Sequence, residues 1–188
     1  MKRLRKLKNQ AGFSLAELLM TVLILLMVSL IVATGMPAAR NAYEKAVIGA
    51  NAQAMLSTAV AALRDELGTA WDVQVRNTTT ATYFKADTGT MAQISKDENG
   101  FIALKDFVAV DFVHDYSEES TPLGNARHLV PSENTGLYVT YDGINYDSGI
   151  VTISGLMVCR QTDTSGSSPL AKIDGDLEIR VISVKSAI

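Results

Sequence analysis

The chain has 188 residues, of which 47% are hydrophobic and 20% charged, and its formal net charge is −3. This length and apolar content suit one globular domain with a sizeable core and exclude a disordered chain. The mildly acidic balance argues against a general nucleic-acid surface, so no direct nucleic-acid binding is expected. A single cysteine excludes an intramolecular disulfide, and two histidines leave a cysteine–histidine zinc cage short of ligands.

Positive charge is concentrated at the N-terminus. The first ten residues carry Lys2, Arg3, Arg5, Lys6 and Lys8 and no acid. The remaining chain has 12 basic and 20 acidic residues, which gives a formal charge of −8. Because cationic flanks of an apolar segment stay on the cytoplasmic side of a membrane, we expect a cytoplasmic N-terminus and an external C-terminus.

An apolar segment, residues 18–36, follows this basic start. Fifteen of its 19 residues are apolar, and no charge lies between Glu17 and Arg40. A helix needs about 20 residues to cross the roughly 30 Å hydrocarbon layer, so the segment just reaches across a membrane. A secretory signal peptide, with Ala33-Thr34-Gly35 as a poor cleavage site, and a simple anchor are the plain alternatives. Neither explains Glu17, because an ionisable group at the edge of a span costs free energy without a partner.

The residues around Glu17 carry a family resemblance. Gly12-Phe13-Ser14-Leu15-Ala16-Glu17, directly before the apolar segment, resembles the class III signal of type IV pilins and pseudopilins. The resemblance covers roughly residues 1–55. It implies that a prepilin peptidase cuts between Gly12 and Phe13 and that the new Phe13 amine is N-methylated. It also implies a structural protein, with no enzymatic activity and no cofactor.

The order of the cleavage residues, Glu17 and the apolar helix has a physical explanation. Cutting before the apolar helix leaves the anchor on the mature protein and creates a positive amine at Phe13, one helical turn from Glu17. Gly12 has no side chain to clash in a tight protease cleft. When subunits pack together, the Glu17 carboxylate can meet the Phe13 amine of a neighbouring subunit, and this assembly charge pair would set the axial register.

The resulting hypothesis is a structural subunit, a minor pilin or a pseudopilin, of a type IV pilus-like, secretion or competence filament. Expected partners are the prepilin peptidase, other subunits, the cytoplasmic membrane and, indirectly, an assembly platform protein and ATPase. The protein is expected first in the cytoplasmic membrane and then in a cell-surface or periplasmic filament. The alternative is a membrane-anchored extracytoplasmic binding module that does not polymerise.

Beyond residue 36 the helical pattern continues to Leu67, with Gly68 as its stop. Pro37, helped by Gly35, is predicted to kink or loosen the helix. A stripe of apolar residues at helical spacing is predicted to lie on a sheet: Tyr43, Val47, Ala50, Ala54, Leu56, Val60, Leu63 and Leu67.

After Gly68 the chain changes to short β-type runs separated by turn dipeptides. The predicted strands are Trp71–Val75, Thr79–Lys85, Phe101–Leu104, Phe107–Val113, Leu137–Tyr141, Gly149–Arg160 and Leu177–Lys185. The fold class is therefore α+β, with a long N-terminal helix on an antiparallel sheet, which agrees with the pilin architecture. The expected segments are a leader (1–12), a transmembrane and filament-core helix (13–36), its amphipathic continuation (37–67) and a β-rich head (68–188).

No catalytic or metal site is expected in the head. Four features contain residue types that could bind a metal or act in catalysis, and we interpret each of them as structural. They are a solvated acidic loop (His114, Asp115, Glu118, Glu119), a surface or partly buried His128, a small buried Cys159 and a turn (Asp174-Gly175-Asp176). Calcium requires six to eight oxygen ligands, so two carboxylates at the turn fall short, and we predict a hairpin there. Many pilins of diderm bacteria have a C-terminal disulfide loop, and its absence here favours a pseudopilin or a Gram-positive pilin.

Overall fold

The computed structural model describes residues 14–85, 88–107, 123–130, 135–163 and 166–182. The chain divides into two compact units, residues 1–47 and 48–188. The α-helix α1 runs from Leu15 to Gly68 and contributes to both units. The strands are β1 (Ala70–Asn77), β2 (Thr80–Lys85), β3 (Met91–Lys96), β4 (Ile102–Phe107), β5 (Arg127–His128), β6 (Leu137–Thr140), β7 (Gly143–Asp147), β8 (Ile150–Ser154), β9 (Met157–Arg160), β10 (Ala171–Lys172) and β11 (Leu177–Arg180).

Within the described ranges the strands form three sheets, and every strand pairing in them is antiparallel. The largest has the order β1-β2-β3-β4-β5, and the other two have the orders β10-β9-β6 and β11-β8-β7. The predicted α+β class, with a long N-terminal helix and antiparallel sheets, is confirmed. The helix also ends at Gly68, where the sequence placed its stop.

In the second unit, α1 buries one face in the core. Its buried residues follow each other at steps of three or four, which is the spacing of one helix face: Ala52, Met55, Ala59, Leu63 and Leu67. They belong to the same core cluster as Tyr83 and Ile94 of the five-stranded sheet and Ile153 of β8. Helix packing on strands therefore joins the last part of α1 to the β-rich unit.

The predicted helix stripe is wrong in its first half. Tyr43, Val47, Ala50 and Ala54 are exposed, whereas Leu63 and Leu67 are buried as predicted and the intervening Leu56 and Val60 are partly buried. At about 100° per residue, Ala54 lies about 200° around the helix from the buried Ala52. The alanine-rich sequence has two faces that are both small and apolar, so spacing alone did not identify the face that meets the strands.

The strand predictions are confirmed in outline and corrected in detail. The run 149–160 is broken at Gly155 and Leu156 into β8 and β9, and β4 is one continuous strand where the sequence suggested a break after Leu104. The prediction missed β3, β5, β7 and β10. Residues 108–113 and 183–185, the ends of two predicted strands, lie outside the described residues.

Two turns differ from the prediction. Asp174-Gly175 joins β10 and β11, which lie in different sheets, so it is not a hairpin turn. One tight hairpin turn lies instead at Ser148-Gly149, between the paired ends of β7 and β8. Both of its residues have positive φ, 50° and 86°, as a two-residue type I′ turn requires.

Gly155 explains why β8 and β9 are separate strands. Its φ is +64°, and a Cβ built there would lie 1.9 Å from the Asp142 carboxylate oxygen Oδ2. The chain therefore turns through a left-handed conformation at a point where a side chain has no room.

We expect Gly155→Ala to lower the free energy of unfolding by about 3 kcal/mol, because it adds steric overlap to the strained φ. Gly89→Ala is the matched control, since Gly89 has φ +65° and open space around it, and it should cost only about 1 kcal/mol. Denaturant unfolding of both variants measures the difference. Equal losses would show that Asp142 moves aside freely.

Two core tyrosines are held in their neutral form. The Tyr141 hydroxyl donates to the Thr79 carbonyl oxygen at 2.7 Å, and the Tyr83 hydroxyl donates to Glu66 Oε1 at 2.9 Å. Burial raises the pKa of both phenols above the ordinary value, and the neighbouring Glu66 carboxylate raises that of Tyr83 further. Ionising either phenol in the folded protein is therefore unfavourable.

Because the folded pKa of Tyr141 is raised, its contribution to stability is complete below the unfolded pKa of about 10 and is lost as pH rises above it. We expect the free energy of unfolding to fall above that pH by about 1.4 kcal/mol per pH unit for each such tyrosine. Tyr141→Phe should make this fall in the free energy of unfolding less steep by about 1.4 kcal/mol per pH unit, because one fewer group loses a proton on unfolding. Denaturant titrations at several alkaline pH values test it, and an unchanged slope would contradict the assignment to Tyr141.

Candidate functional site: the N-terminal helix

The start of α1 places Glu17 in the first helical turn. The Ser14 carbonyl oxygen accepts the N–H groups of Glu17 and Leu18 at 2.9 and 3.2 Å, so Ser14 is the residue at which the helix begins. The Glu17 side chain is exposed, and the positive end of the helix dipole favours its charge. Gly12 and Phe13, the predicted cleavage and methylation residues, lie outside the described residues.

Sequence reasoning missed the role of Ser14. Ser14 and Glu17 have the serine-x-x-glutamate spacing of a helix capping box, which is a local signal for a helix N-terminus. The spacing would have placed the first helical residue at Leu15, where the structure has it. The same four residues thus specify where α1 starts and place the Glu17 carboxylate in its first turn.

Side chains from Leu15 to Met36 are exposed all around the helix. The large apolar ones among them include Leu18, Leu19, Met20, Val22, Leu23, Ile24, Leu25, Leu26, Met27, Val28, Leu30, Ile31 and Val32. Soluble monomers rarely expose so large a continuous apolar surface. By length and composition, α1 could cross a membrane, and none of its most apolar window is buried.

Two of the three hydroxyl groups inside this segment, those of Thr21 and Thr34, are satisfied by the helix itself. The Thr21 hydroxyl donates to the Leu18 carbonyl oxygen at 2.8 Å, and the Thr34 hydroxyl donates to the Leu30 carbonyl oxygen at 3.0 Å. Such bonds to the preceding turn remove the cost of placing a hydroxyl in hydrocarbon. The surface that α1 offers to its surroundings is therefore more apolar than the residue types alone suggest.

Helical structure continues through Gly35 and Pro37. Proline has no N–H, so one backbone hydrogen bond is missing in this turn, and a local bend at Gly35 and Pro37 stays a prediction. Charges return just beyond it, where Arg40 Nε lies 2.8 Å from Glu44 Oε1 on the exposed helix surface. The apolar segment is thus bounded by Glu17 on one side and by this ion pair on the other.

The described candidate residues of the head, His128 and Cys159, have ordinary structural surroundings. His128 on β5 is exposed, as predicted, and its Nε2 lies 3.1 Å from Asp97 Oδ2. Cys159 is buried, as predicted, and burial raises the pKa of its thiol, which disfavours a reactive thiolate. In the described part of the chain, no group of three or more His, Cys, Asp or Glu side chains could hold a metal ion. The acidic loop (His114, Asp115, Glu118, Glu119) lies outside that part.

An open cleft of about 320 Å³ lies between the β3–β4 turn and the end of β6. Lys96, Asp97, Asn99, Tyr141 and Asp142 are among its lining residues. The Lys96 ammonium lies 5.1 Å from the centre of the Tyr141 ring, and partial burial lowers the pKa of Lys96. The lining mixes a cation, carboxylates and an amide, so its geometry does not select one class of ligand.

Sequence reasoning also missed a charged cluster at the end of α1. Glu66, Lys85, Asp106 and Arg127 form a ring of alternating charges, here called the four-charge ring, and the Tyr83 hydroxyl donates to Glu66. Lys85 and Asp106 lie on the core face of their strands, next to buried apolar residues. From the sequence, such a cluster could be predicted only from a charged residue at a strand position that faces the core.

Comparison with known proteins found one match. Residues 7–33 match the family model described as the prokaryotic N-terminal methylation motif. No curated protein and no solved structure matched the chain. The matched residues extend from the basic start through Glu17 into the exposed apolar part of α1. This motif is the class III signal that is typical of type IV pilins and pseudopilins, a family of structural subunits and not of enzymes, and it supports a type IV pilin-like precursor anchored by its N-terminal helix.

Proposed function

We propose that the protein is the precursor of a structural subunit, a minor pilin or pseudopilin, of a type IV pilus-like, secretion or competence filament. The observation that carries the proposal is the methylation motif at residues 7–33, which extends into a helix whose apolar side chains are exposed on all sides. An exposed apolar helix needs lipid or neighbouring helices around it. A filament subunit is surrounded first by membrane lipid and then, after assembly, by the helices of other subunits.

In this proposal a prepilin peptidase cuts between Gly12 and Phe13 on the cytoplasmic face, and the new Phe13 amine is methylated. The five positive residues of the leader hold that end in the cytoplasm. The rest of the chain lies outside, where the acidic head faces the periplasm or the cell surface. Cleavage removes the basic leader but keeps α1, so the mature protein stays in the membrane.

Assembly then exchanges lipid for neighbouring subunits. Because lipid already covers the apolar helix, transfer into a filament gains little from the hydrophobic effect and depends on helix packing and polar contacts. The Phe13 amine of one subunit and the Glu17 carboxylate of another supply such a contact in a medium of low dielectric constant. Removal of the subunit from the membrane calls for the platform protein and the ATPase, which act indirectly.

The first test is the mature N-terminus. Intact-mass and peptide mass spectrometry of the protein purified from its native membrane should give a chain that begins at methylated Phe13. Gly12→Val should leave the precursor uncut, because a branched side chain occupies the protease cleft, whereas Gln10→Val should be cut normally. A mature chain that begins near Met36, or one that retains Met1, would contradict the proposal.

The second test is the charge pair. Glu17→Ala should enter the membrane normally but lose at least about tenfold in sheared filament, since breaking a buried pair costs about 3–5 kcal/mol. Glu44→Ala is the control, because it removes a carboxylate of an exposed ion pair on the same helix and should cost under about 1 kcal/mol. Immunoblots of membrane and filament fractions measure both variants. Normal filament from Glu17→Ala would contradict the charge pair, whereas an unaltered protein that enters no filament would favour the non-polymerising binding module.

A further inference from the structure

Residues 123–129 run along the outer edge of β4 and are here called the strap. The Leu123 N–H donates to the Asp106 carbonyl oxygen at 2.9 Å, and the Leu129 N–H donates to the Ile102 carbonyl oxygen at 2.9 Å. Between them, Arg127 pairs with Leu104 in the short strand β5. The strap therefore covers the edge of β4 from Ile102 to Asp106.

Few backbone bonds hold the strap, and most of its side chains are exposed. β5 has only two residues, and residues 123–128 are all exposed. A connection of this kind opens locally at a much smaller free-energy cost than unfolding of the whole core. The side chains that tie the strap to the sheet therefore decide how long the edge of β4 stays covered.

Arg127 makes one of these ties through the four-charge ring. Its Nη2 lies 3.5 Å from Glu66 Oε2, and its Nε lies 4.0 Å from Asp106 Oδ2. The opposite arm is shorter, since Lys85 Nζ lies 2.6 Å from Glu66 Oε1 and 3.5 Å from Asp106 Oδ1. The ring thus links the strap to the last turn of α1 and to the ends of β2 and β4.

The two arms of the ring differ in exposure. The side chains of Lys85 and Glu66 are 12% and 13% exposed, so solvent screens their attraction little. The Arg127 side chain is 56% exposed, and its pairs are long. Arg127 is therefore the member of the ring that salt weakens first and that can leave without exposing the core.

His128 supplies a second, independent tie. Its ring stacks on Phe101 with 4.8 Å between ring centres and an angle of 17° between the planes. Its Nε2 contacts Asp97 Oδ2 at 3.1 Å, while Asp97 Oδ1 accepts the N–H groups of Asn99 and Phe101 in the β3–β4 turn. Neighbouring residues in a strand point to opposite faces, so Arg127 and His128 hold the strap from the two sides of the sheet.

We propose that the four-charge ring is a latch, with Arg127 as its movable member, that holds the strap closed over the edge of β4. Release of Arg127 opens the strap and uncovers that edge while the helix and the remaining strands keep their structure. An uncovered strand edge presents unpaired N–H and C=O groups, so the latch controls whether those groups of β4 are exposed to solvent.

The test is hydrogen exchange of the full chain in detergent micelles, read at the Leu123 and Leu129 amides. Arg127→Met should exchange at least about tenfold faster at both amides, because it keeps an unbranched side chain and removes the guanidinium charge. Core amides such as Ile94 should keep their protection. Arg160→Met is the matched control, since Arg160 is an exposed residue at the end of β9 outside the ring, and it should leave the strap unchanged.

Salt provides a readout that needs no variant. Raising the ionic strength from about 0.05 M to about 1 M should accelerate strap exchange in the unaltered protein, and Arg127→Met should lose at least about half of that effect. Arg127→Lys should lie between the two, because one ammonium cannot reach both carboxylates as a guanidinium does.

Unchanged exchange at Leu123 and Leu129 in Arg127→Met would overturn the latch. An equal loss of protection at Ile94 would also overturn it, because the ring would then support the fold as a whole. If Arg127→Met does not fold, exchange in the unaltered protein that does not respond to salt, together with normal exchange in Arg127→Lys, would reject the proposal.

Discussion

The constraint on which the rest depends is an apolar helix that its own chain does not cover. Side chains from Leu15 to Met36 are exposed on every face, and two of the three hydroxyl groups among them, on Thr21 and Thr34, are bonded to the preceding turn. Water is a poor solvent for such a helix, so lipid or other helices must surround it. The methylation motif at residues 7–33 fits this need, because the proposed cleavage before α1 would keep the helix on the mature protein.

The same helix changes its surroundings along its length. After Met36 the large aliphatic side chains give way to alanine, and from Ala52 onward one face is buried against strands. Small residues at the contact let the helix backbone come close to the sheet, while Met55, Leu63 and Leu67 fill the core. One continuous element thus carries an uncovered apolar surface at one end and a packed core at the other.

The acidic residues at the two ends of α1 also differ in their surroundings. Glu17 lies at the start of the apolar part, in the first turn where the helix dipole favours it, and it forms no ion pair with another described residue. At the other end of α1, Glu66 contacts two cations, Lys85 and Arg127, and accepts the Tyr83 hydroxyl, and these contacts compensate its burial. The Glu66 carboxylate is therefore satisfied within the chain, whereas the contact proposed for Glu17 is with a neighbouring subunit.

The sequence by itself determined the features that depend on neighbours along the chain. These are the basic start, the apolar length, the order of Gly12, Phe13 and Glu17, the helix stop at Gly68 and the alternation of β11, each of which is a local pattern. The buried face of α1 was not determined in this way, because two alanine-rich faces compete and only contact with the strands selects one.

The tertiary structure alone decided the rest. The two-residue strands β5 and β10 exist because a neighbouring strand pairs with them, and the break at Gly155 exists because Asp142 occupies the space beside it. The four-charge ring joins Glu66 to Arg127 across 61 positions of the sequence. Such groups meet only when the sheet and helix are in place, since long-range contacts depend on the whole fold and not on local propensity.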